Sequence, residues 1–521
     1  MEFDVVIAGG GFAGAYCARV LGKAYGRAEG ERRVALVAER NVFVFQPMLA
    51  EVVGSSLNPV DVVNPLRQFC RGVNVLQGTI QKIDWATKTL LLDGGRYTRD
   101  HSIAFGHLVL ALGNVTDMAS VPGMTEYGWP MKNVSDALRL RAALINRLEE
   151  ANLVEDHETR MRLLTFVVVG GGYTGVETAG QLLDFIRQAR RFYANLRESR
   201  LRVVLVHGGG ELLGEIGPEL GAYARGILEE RGVEVRLSAR VSAVTARRVI
   251  LGDGSGIDAN TVVSTIGNAP NPVVMDLCRQ IGVDAPKGRV PTDAAMRVPG
   301  AEALWAAGDG AAVPWNDRGR AKVSPQTAQF ASRQGKLLGE NIFRSLRGQE
   351  PGPFRYRYMG QLASIGERKA VAEIFGMHFK GFAAWWMWRT IYLAKLPGTM
   401  RRLRVMIDWT FDLVFPRDIS QILPPPEESV RAIHLEKGET LFTRGTPSRG
   451  FFYVRQGGLL LSGPGLPDRP IQAGSVIDQA ELDSSHLWET SAVASEASDL
   501  IVFRGRALEV LRRDLRLVKR A

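Results

Sequence analysis

The sequence predicts an α/β fold with two Rossmann-like dinucleotide-binding domains. The main observation is a glycine-rich turn that occurs twice, each time between an apolar strand-like segment and a helix-like segment. The first turn is Gly9-Gly10-Gly11-Phe12-Ala13-Gly14 and the second is Gly170-Gly171-Gly172-Tyr173-Thr174-Gly175. A later apolar segment runs into Gly308-Asp309, as expected for another strand that ends at the ligand-binding edge of a sheet.

Each turn has the G-x-G-x-x-G spacing, whose three glycines have different physical roles. The first permits a tight turn, the second lets the backbone approach a pyrophosphate, and the third lets the helix pack close to the strand. The helix N-terminus then offers unpaired N–H groups to an anion. A single copy is equally compatible with a turn that binds nothing. The pair, each copy in the strand–turn–helix context, predicts two dinucleotide sites.

Four further residues or pairs follow predicted strands of these domains. Glu39 ends the second strand of the first domain, where a carboxylate can accept hydrogen bonds from a ribose diol. His207 has the same place in the second domain. Gly113 closes a buried strand, and Gly308 with Asp309 closes another, where the carboxylate can accept from a ribitol hydroxyl.

A helix is predicted from Ser324 to about Phe343. Gln329 and Arg333 are four residues apart and therefore share one face of it. This face is either an ordinary solvated surface or lies against an electron-rich ring at the helix N-terminus.

Length and composition bound the remaining possibilities. The 521 residues suffice for several domains, and the net charge is +10. Cys17, Cys70 and Cys278 are far apart in sequence, which predicts neither a zinc site nor a redox dithiol and fits a reducing compartment. The strand at the N-terminus predicts no signal peptide, and no apolar run approaches the ~18 residues of a spanning helix.

The order of these motifs resembles the type II NADH dehydrogenases, the NADH:quinone oxidoreductases of the two-dinucleotide flavoprotein superfamily that do not pump protons. The resemblance covers about residues 1–415. It implies FAD on the first glycine turn and NADH on the second. The implied FAD residues are Gly9, Gly11, Gly14, Glu39 and Asp309, and the implied NADH residues are Gly170, Gly172, Gly175 and Glu177, the last near the nicotinamide.

The resemblance also implies a quinone side, and the sequence departs from the family at two positions. Ala328, Gln329, Ala331 and Gln334 match the family's quinone-side motif, whereas Arg333 replaces its middle glutamine. His207 replaces the acid that is typical for NADH, which leaves NADPH open as the reductant.

The expected domains follow from this order of motifs. They are an FAD-binding domain in two parts (1–118 and 291–375), an NAD(P)H-binding domain (119–290), amphipathic membrane-associating helices (376–420) and a C-terminal domain (425–521).

Residues 379–415 are rich in tryptophan and in basic residues. Between Gly376 and Arg417 there are seven bases and two acids, and Pro397-Gly398 divides the segment into two short helices. Aromatic residues beside bases predict helices that lie on an anionic membrane surface. Core helices and a dimer interface remain open. We expect a peripheral protein on the cytoplasmic side of the cell membrane and a homodimer, and we expect no nucleic-acid partner.

The segment after Pro424-Pro425-Pro426 is predicted to be a small β-barrel with a final helix over 507–518. It resembles a cyclic-nucleotide-binding domain over residues 425–521. That family pairs the cyclic phosphate with an arginine of its phosphate cassette, but Gly474 to Gln479 matches poorly and Thr490 stands where the arginine is expected. We therefore expect no ordinary cyclic-nucleotide binding and a regulatory or partner-contact role instead.

The predicted function is a flavoenzyme that passes hydride from NAD(P)H to FAD and electrons on to a membrane quinone. Glu177, Gln329 and Arg333 are the candidate catalytic residues, and no metal is expected. Two alternatives remain: a flavin-based redox sensor with slow turnover, and a sulfide:quinone oxidoreductase, for which the paired cysteines are missing.

Overall fold

A computed structural model gives the chain as two units, Met1–Ile422 and Leu423–Ala521. It describes the chain except residues 96, 97, 99, 318, 413–414, 421–429, 446–450, 464–465, 478–487 and 504–521.

The first sheet of the larger unit is built around Glu2–Ala8, the strand before the first glycine turn. This strand pairs in parallel with Val34–Ala38 on one side and with His101–Leu110 on the other. Ala301–Ala306 joins His101–Leu110 in parallel, so a distant part of the chain returns to the same sheet. The sheet is completed by Asn74–Gln77, Thr79–Asp84, Thr89–Asp93 and Arg297–Val298.

The second sheet has five parallel strands, with the strand before the second glycine turn at its centre. Their order is Gly128–Pro130, Thr261–Ser264, Thr165–Val169, Arg202–Val206 and Val233–Arg236. The central strand is buried along its whole length, which explains its continuous apolar run. Because the strands that adjoin each glycine turn are parallel, their carboxyl ends lie at one edge of the sheet, where ligands of such folds bind.

Three helices position the site. The first glycine helix is Phe12–Tyr25, the second glycine helix is Tyr173–Ala189, and the polar helix is Ala328–Ser345. The polar helix begins later than the predicted Ser324, because Pro325 disfavours helical backbone at Ser324 and the N-cap residue Thr327 is still extended. The other helices are Arg27–Arg33, Leu49–Val53, Leu66–Phe69, Met124–Tyr127, Val134–Leu153, His157–Leu163, Pro218–Glu230 and Pro272–Gln280.

Smaller elements connect these parts. An antiparallel meander extends the second domain, and strand pairs and 3₁₀ turns lie in the connections. The meander is Val241–Val244, Arg248–Leu251 and Gly256–Asp258; the pairs are Val42–Val44 with Val63–Pro65, Val115–Thr116 with Asn268–Ala269, Val290–Pro291 with Ala311–Ala312, and Pro314–Asp317 with Arg320–Val323; the turns are Gln46–Met48, Arg190–Phe192, Ala194–Leu196 and Pro286–Gly288.

The larger unit ends in a three-stranded antiparallel sheet and two helices. The strands are Gly360–Gly366, Lys369–Ile374 and Met377–Lys380. The aromatic helix, Gly381–Lys395, and the basic helix, Thr399–Phe411, follow them. The expectation of helices over 376–420 is therefore wrong at its start, because Met377–Lys380 is a strand in which Phe379 pairs with Ala372. No described helix combines the length and the apolar character that crossing a bilayer requires.

The smaller unit contains two four-stranded antiparallel sheets. One is Val430–Leu435, Ser498–Phe503, Phe451–Gln456 and Val476–Ile477, and the other is Thr440–Phe442, Ser491–Ala494, Gly458–Gly463 and Leu466–Gln472. Phe442 stacks on Trp488 in its core, with ring centroids 3.8 Å apart. The predicted proline linker (424–426), the helix over 507–518 and two cassette residues, Asp478 and Gln479, lie outside the described residues.

Candidate functional site

The first glycine turn leaves no room for side chains at two of its positions and is open at the third. Gly9 has a φ of +114°, and a Cβ there would lie 2.3 Å from the carbonyl oxygen of Ala111. A Cβ on Gly14 would lie 1.9 Å from the Gly9 oxygen. A Cβ on Gly11 would meet no atom within 4 Å, directly before the first glycine helix. The backbone at Gly11 is thus accessible to a phosphate group.

The second glycine turn repeats this geometry. Gly170 has a φ of +120°, and its Cβ would lie 2.5 Å from Oγ1 of Thr265. A Cβ on Gly175 would lie 1.8 Å from the Gly170 oxygen, whereas one on Gly172 would meet nothing within 4 Å. Gly172 directly precedes the second glycine helix. Both turns therefore fit the diphosphate of a dinucleotide, although neither assigns the nucleotide.

The later strand returns a carboxylate to the edge of the first sheet. The Gly308 N–H donates to Oε1 of the buried Gln334 at 2.8 Å, and a Cβ on Gly310 would lie 3.1 Å from the Gly113 oxygen. Gly113 and Gly308 are therefore close neighbours of Asp309. Burial raises the pKa of Asp309, opposed by Lys132 and Arg289.

Glu39 follows the strand Val34–Ala38 and is exposed. The N–H of Gly9 donates to the carbonyl oxygen of Val37 at 2.8 Å, so this strand end lies beside the first glycine turn. The residue is thus exposed near that turn, and its contact with a ribose stays a prediction.

His207 follows the strand Arg202–Val206 and contacts the second glycine turn directly. The backbone N–H of Gly171 donates to Nδ1 of His207 at 3.1 Å. Burial lowers the pKa of His207, in keeping with a neutral ring that accepts this bond. The residue in the ribose position is therefore held to the turn.

A cavity of about 1250 Å³ connects the second glycine turn with the first domain. Gly171, Gly172 and His207 line it from the second domain, and Phe12 and Asp309 line it from the first. The polar helix and the aromatic helix contribute the lining residues Gln329, Arg333, Tyr392 and Lys395. Residues that are hundreds of positions apart in sequence thus share one space.

Glu177 on the second glycine helix is buried in the wall of this cavity. Its Oε1 accepts from the N–H of Ser364 and from Nε1 of Trp388, both at 3.2 Å. Burial raises the pKa of Glu177 to about 8, although both hydrogen bonds oppose the shift. The carboxyl therefore holds a proton at neutral pH.

Gln329 and Arg333 both line the cavity from the polar helix, so they share the face that the i, i+4 spacing predicts. Oε1 of Gln329 accepts from Nζ of Lys395 at 3.3 Å. The Arg333 guanidinium lies 4.2 Å from the centroid of the Tyr356 ring and donates to the Gln329 carbonyl oxygen at 3.0 Å. Arg333 is thus positioned by the helix and by an aromatic ring. Gln334, which shares the motif, instead bonds Gly308 and Ser324 in the core.

Sequence reasoning missed Lys395 as a site residue and Glu51 altogether. Lys395 was counted only as a base of the membrane segment, yet its ammonium bonds Gln329, and burial with nearby Arg333 lowers its pKa. Glu51 accepts from Nε1 of Trp409 at 2.7 Å, and burial raises its pKa to about 7. The available signal for Glu51 was a glutamate within an otherwise apolar helix.

Two tryptophans of the segment 379–415 are not interfacial as the sequence suggested. Trp388 is 1% exposed and Trp409 is 5% exposed, and each donates to a buried glutamate. Trp386 keeps the predicted exposure. The two helices are thus attached to the nucleotide-binding part through their inner tryptophans.

The three cysteines are free and buried. Burial raises the pKa of each thiol, so none is an activated thiolate. Among the described residues no group of three or more candidate ligands could hold a metal ion.

The paired turns, each at the end of a parallel strand, define a protein with two dinucleotide-binding folds. In keeping with this class, residues 3–335 match the family described as pyridine nucleotide-disulphide oxidoreductase, and residues 358–418 match the NDH2 C-terminal domain. The chain belongs to the type II NADH:quinone oxidoreductase family (NDH2). The match to its C-terminal domain covers the aromatic and basic helices and ends at residue 418. The predicted resemblance of residues 425–521 to a cyclic-nucleotide-binding domain is not supported by these matches.

Curated relatives agree with this assignment, and a solved structure shows the same fold. The chain is 30% identical over 426 residues to the type II NADH:quinone oxidoreductase NdhA of Mycobacterium tuberculosis, covering 78% of this chain and 86% of the relative. It is 30% identical over 415 residues to the demethylphylloquinone reductase NdbB of Synechocystis, covering 78% and 95%. The structure of NDH2 from Plasmodium falciparum in complex with NADH has the same fold, with a TM-score of 0.73 at 18% identity over 80% of this chain and 99% of that one.

Proposed function

We propose that this chain oxidises NADH and reduces a membrane quinone through bound FAD, without pumping protons. The observation that carries the proposal is the single cavity lined by the second glycine turn, by Asp309 and by Gln329 and Arg333. The family assignment supports an enzyme over a redox sensor. The buried cysteines with raised pKa argue against sulfide oxidation, which needs reactive thiols.

The two turns divide the nucleotides between them. FAD would lie along Gly9, Gly11 and Gly14, with Glu39 at its ribose and Asp309, between Gly113 and Gly308, at its ribitol. NADH would lie along Gly170, Gly172 and Gly175. Bound FAD supplies the chemistry that accepts a hydride and releases electrons.

The remaining residues orient the reactants and hold protons. The protonated carboxyl of Glu177 lies where a nicotinamide on the second turn would reach the cavity. Gln329, fixed by Lys395, and the cationic Arg333 would line the quinone side. A guanidinium there favours an electron-rich or anionic oxygen of the acceptor.

The test is NADH oxidation by purified protein with bound flavin and a short-chain quinone. We expect quinone-dependent oxidation of NADH and no quinone reduction when sulfide replaces NADH. Protein that retains flavin but oxidises no NADH would overturn the proposal. Reduction of the quinone by sulfide alone would favour the alternative enzyme.

The aromatic and basic helices support peripheral membrane attachment, which we place on the cytoplasmic side of the cell membrane. Their exposed apolar side chains lie beside exposed arginines, as in interfacial helices. The apolar residues are Phe382, Trp386, Met400, Leu403, Met406, Ile407 and Phe411, and the arginines include Arg402 and Arg404. We expect the protein to sediment with vesicles that contain anionic lipid, and the Phe382→Ser/Trp386→Ser variant to sediment less. Added DNA should not change this sedimentation.

A homodimer would use part of the same apolar surface, so oligomeric state is tested with the same variant. We expect a dimer by analytical ultracentrifugation. Loss of the dimer in the Phe382→Ser/Trp386→Ser variant, with vesicle binding unchanged, would assign this surface to the dimer instead of the membrane.

For the smaller unit we propose a regulatory or partner-contact role without ordinary cyclic-nucleotide binding. Thr490 cannot supply the charge-assisted bond that an arginine gives a cyclic phosphate. Calorimetric titration with cAMP and cGMP should give no heat of binding. Micromolar binding of either nucleotide would contradict the proposal.

A further inference from the structure

The end of the strand Arg202–Val206 decides which ribose fits the second domain. In NADH-binding folds a carboxylate here accepts hydrogen bonds from the ribose hydroxyls, whereas a nearby arginine accommodates the 2′-phosphate of NADPH. In this chain His207 occupies the position, followed by Gly208-Gly209-Gly210. The hydrogen-bonding groups of this loop therefore determine which ribose it can bind.

The histidine presents a donor. Because Nδ1 of His207 accepts the N–H of Gly171 at 3.1 Å, the proton of the neutral ring is on Nε2. Nε2 lies 2.7 Å from the position that a Cβ would take on Gly209, so its N–H is directed to the glycine loop. A phosphate oxygen can accept a hydrogen bond from this N–H. The N–H cannot take the place of a carboxylate, because it has no lone pair to accept hydrogen bonds from a ribose diol.

An arginine lies on the same loop. The N–H of Ala239 donates to the His207 oxygen at 2.9 Å and that of Ser238 to the Gly209 oxygen at 2.8 Å, so two segments run side by side. This pairing places Arg240 against Gly208: its Cγ and Nε lie 3.1 and 3.6 Å from the position of a Cβ there. The arginine side chain therefore lies directly beside the backbone of residue 208.

The Arg240 guanidinium is exposed, and no hydrogen bond or ion pair joins it to another described residue. The carboxylates of this region are directed elsewhere. Glu234 pairs with Arg202 at 2.7 Å and Arg236 at 2.6 Å. Oε1 of Glu211 lies 3.3 Å from the Cβ position of Gly214, further along the chain. The loop therefore combines an available arginine with a histidine donor.

We infer that Arg240, assisted by Nε2–H of His207, binds the 2′-phosphate of NADPH, so that this chain uses NADPH at least as well as NADH. The planar guanidinium can donate two parallel hydrogen bonds to a phosphate. This inference rests on the proposed function, because it takes the second glycine turn as the site of the reduced dinucleotide. It adds a specificity residue that lies outside the glycine motif.

The test compares kcat/KM for NADPH and NADH with the same quinone, using full-length protein with bound FAD. We expect the wild-type NADPH-to-NADH ratio to be at least one. Arg240→Ala should lower that ratio at least tenfold, and His207→Glu should lower it too by restoring a carboxylate. Arg279→Ala, which removes an exposed arginine of the same domain that pairs with Asp276, should leave the ratio unchanged.

A binding measurement separates this inference from folding and from the function itself. Adenosine 2′,5′-bisphosphate should inhibit the wild-type enzyme more strongly than AMP, and Arg240→Ala should abolish the difference while flavin content stays at the wild-type level. A wild-type ratio below one, or an unchanged ratio in Arg240→Ala, would overturn the inference. Failure of both nucleotides to reduce bound flavin would contradict the proposed function instead.

Discussion

The two nucleotide-binding halves have the same turn and different surroundings. Gly14 and Gly175 leave almost identical space, with a Cβ 1.9 and 1.8 Å from the oxygen of the turn's first glycine. At the strand ends, by contrast, the first half has the exposed Glu39 and the second has His207, held to its turn. The two turns thus share their backbone geometry and differ in the side chain at the neighbouring strand end.

The same comparison extends to two buried glutamates. Glu51 in the first half accepts a hydrogen bond from Trp409, and Glu177 in the second accepts from Trp388. Glu177 lines the cavity, whereas Glu51 is not among its lining residues. The same glutamate–tryptophan hydrogen bond therefore holds a cavity residue, Glu177, in the second half. In the first half it attaches the basic helix through Glu51.

The largest expected effect separates the two turns. Gly14→Ala should abolish FAD retention, because the methyl group would collide with the Gly9 carbonyl and the backbone would have to move. Gly175→Ala should keep the flavin and lose reduction by NADH, measured by flavin absorbance with and without NADH. If both variants lose flavin equally, the halves do not act separately.

The next effect separates the two glutamates. Glu177→Gln keeps both hydrogen bonds to the carbonyl oxygen but removes the proton-holding carboxyl, so kcat should fall about tenfold or more. In the wild type, kcat should also decline as pH rises through about 8, where Glu177 loses its proton, and this decline should vanish in the variant. Glu51→Gln should change kcat less than twofold. Equal losses in both variants would remove the distinction.

The tryptophans provide a matched pair for stability. Trp409→Phe should lower the free energy of unfolding by about 1–3 kcal/mol, because no other hydrogen bond from a described residue reaches the Glu51 carboxyl. Trp388→Phe should cost less, since Ser364 still donates to Glu177. Chemical denaturation of the larger unit measures both. A greater loss in Trp388→Phe would reverse the comparison.

The smallest effect is a pH dependence of stability. The pKa of Glu51 is raised in the folded chain from 4.5 to about 7, so the folded state binds more protons and stability falls as pH rises between these values and just beyond. From pH 6 to 8 this carboxyl should account for about 1 kcal/mol. In thermal denaturation at different pH values, Glu51→Gln should remove this part of the loss of stability between pH 6 and 8. Glu350→Gln, at an exposed position, should leave the loss unchanged.

Much of the site followed from local sequence. The two turns, Glu39, Asp309 and the shared face of Gln329 and Arg333 depend on spacing within single elements, and periodicity reports such spacing directly. Lys395 and Glu51 did not follow, because their roles depend on contacts with helices or residues far away in the chain. Trp388 and Trp409 were placed at the surface for the same reason: composition does not tell which side of a helix faces the protein.

The sequence by itself determined the glycine turns, the order of the elements and the two departures at His207 and Arg333. Only the tertiary structure decided that Glu177, Gln329 and Lys395 contact one cavity and that Arg240 lies on the loop after His207. The physical reason is range. Turn chemistry is set by neighbouring backbone and steric limits, whereas the cavity depends on how two sheets, the polar helix and the aromatic helix pack together.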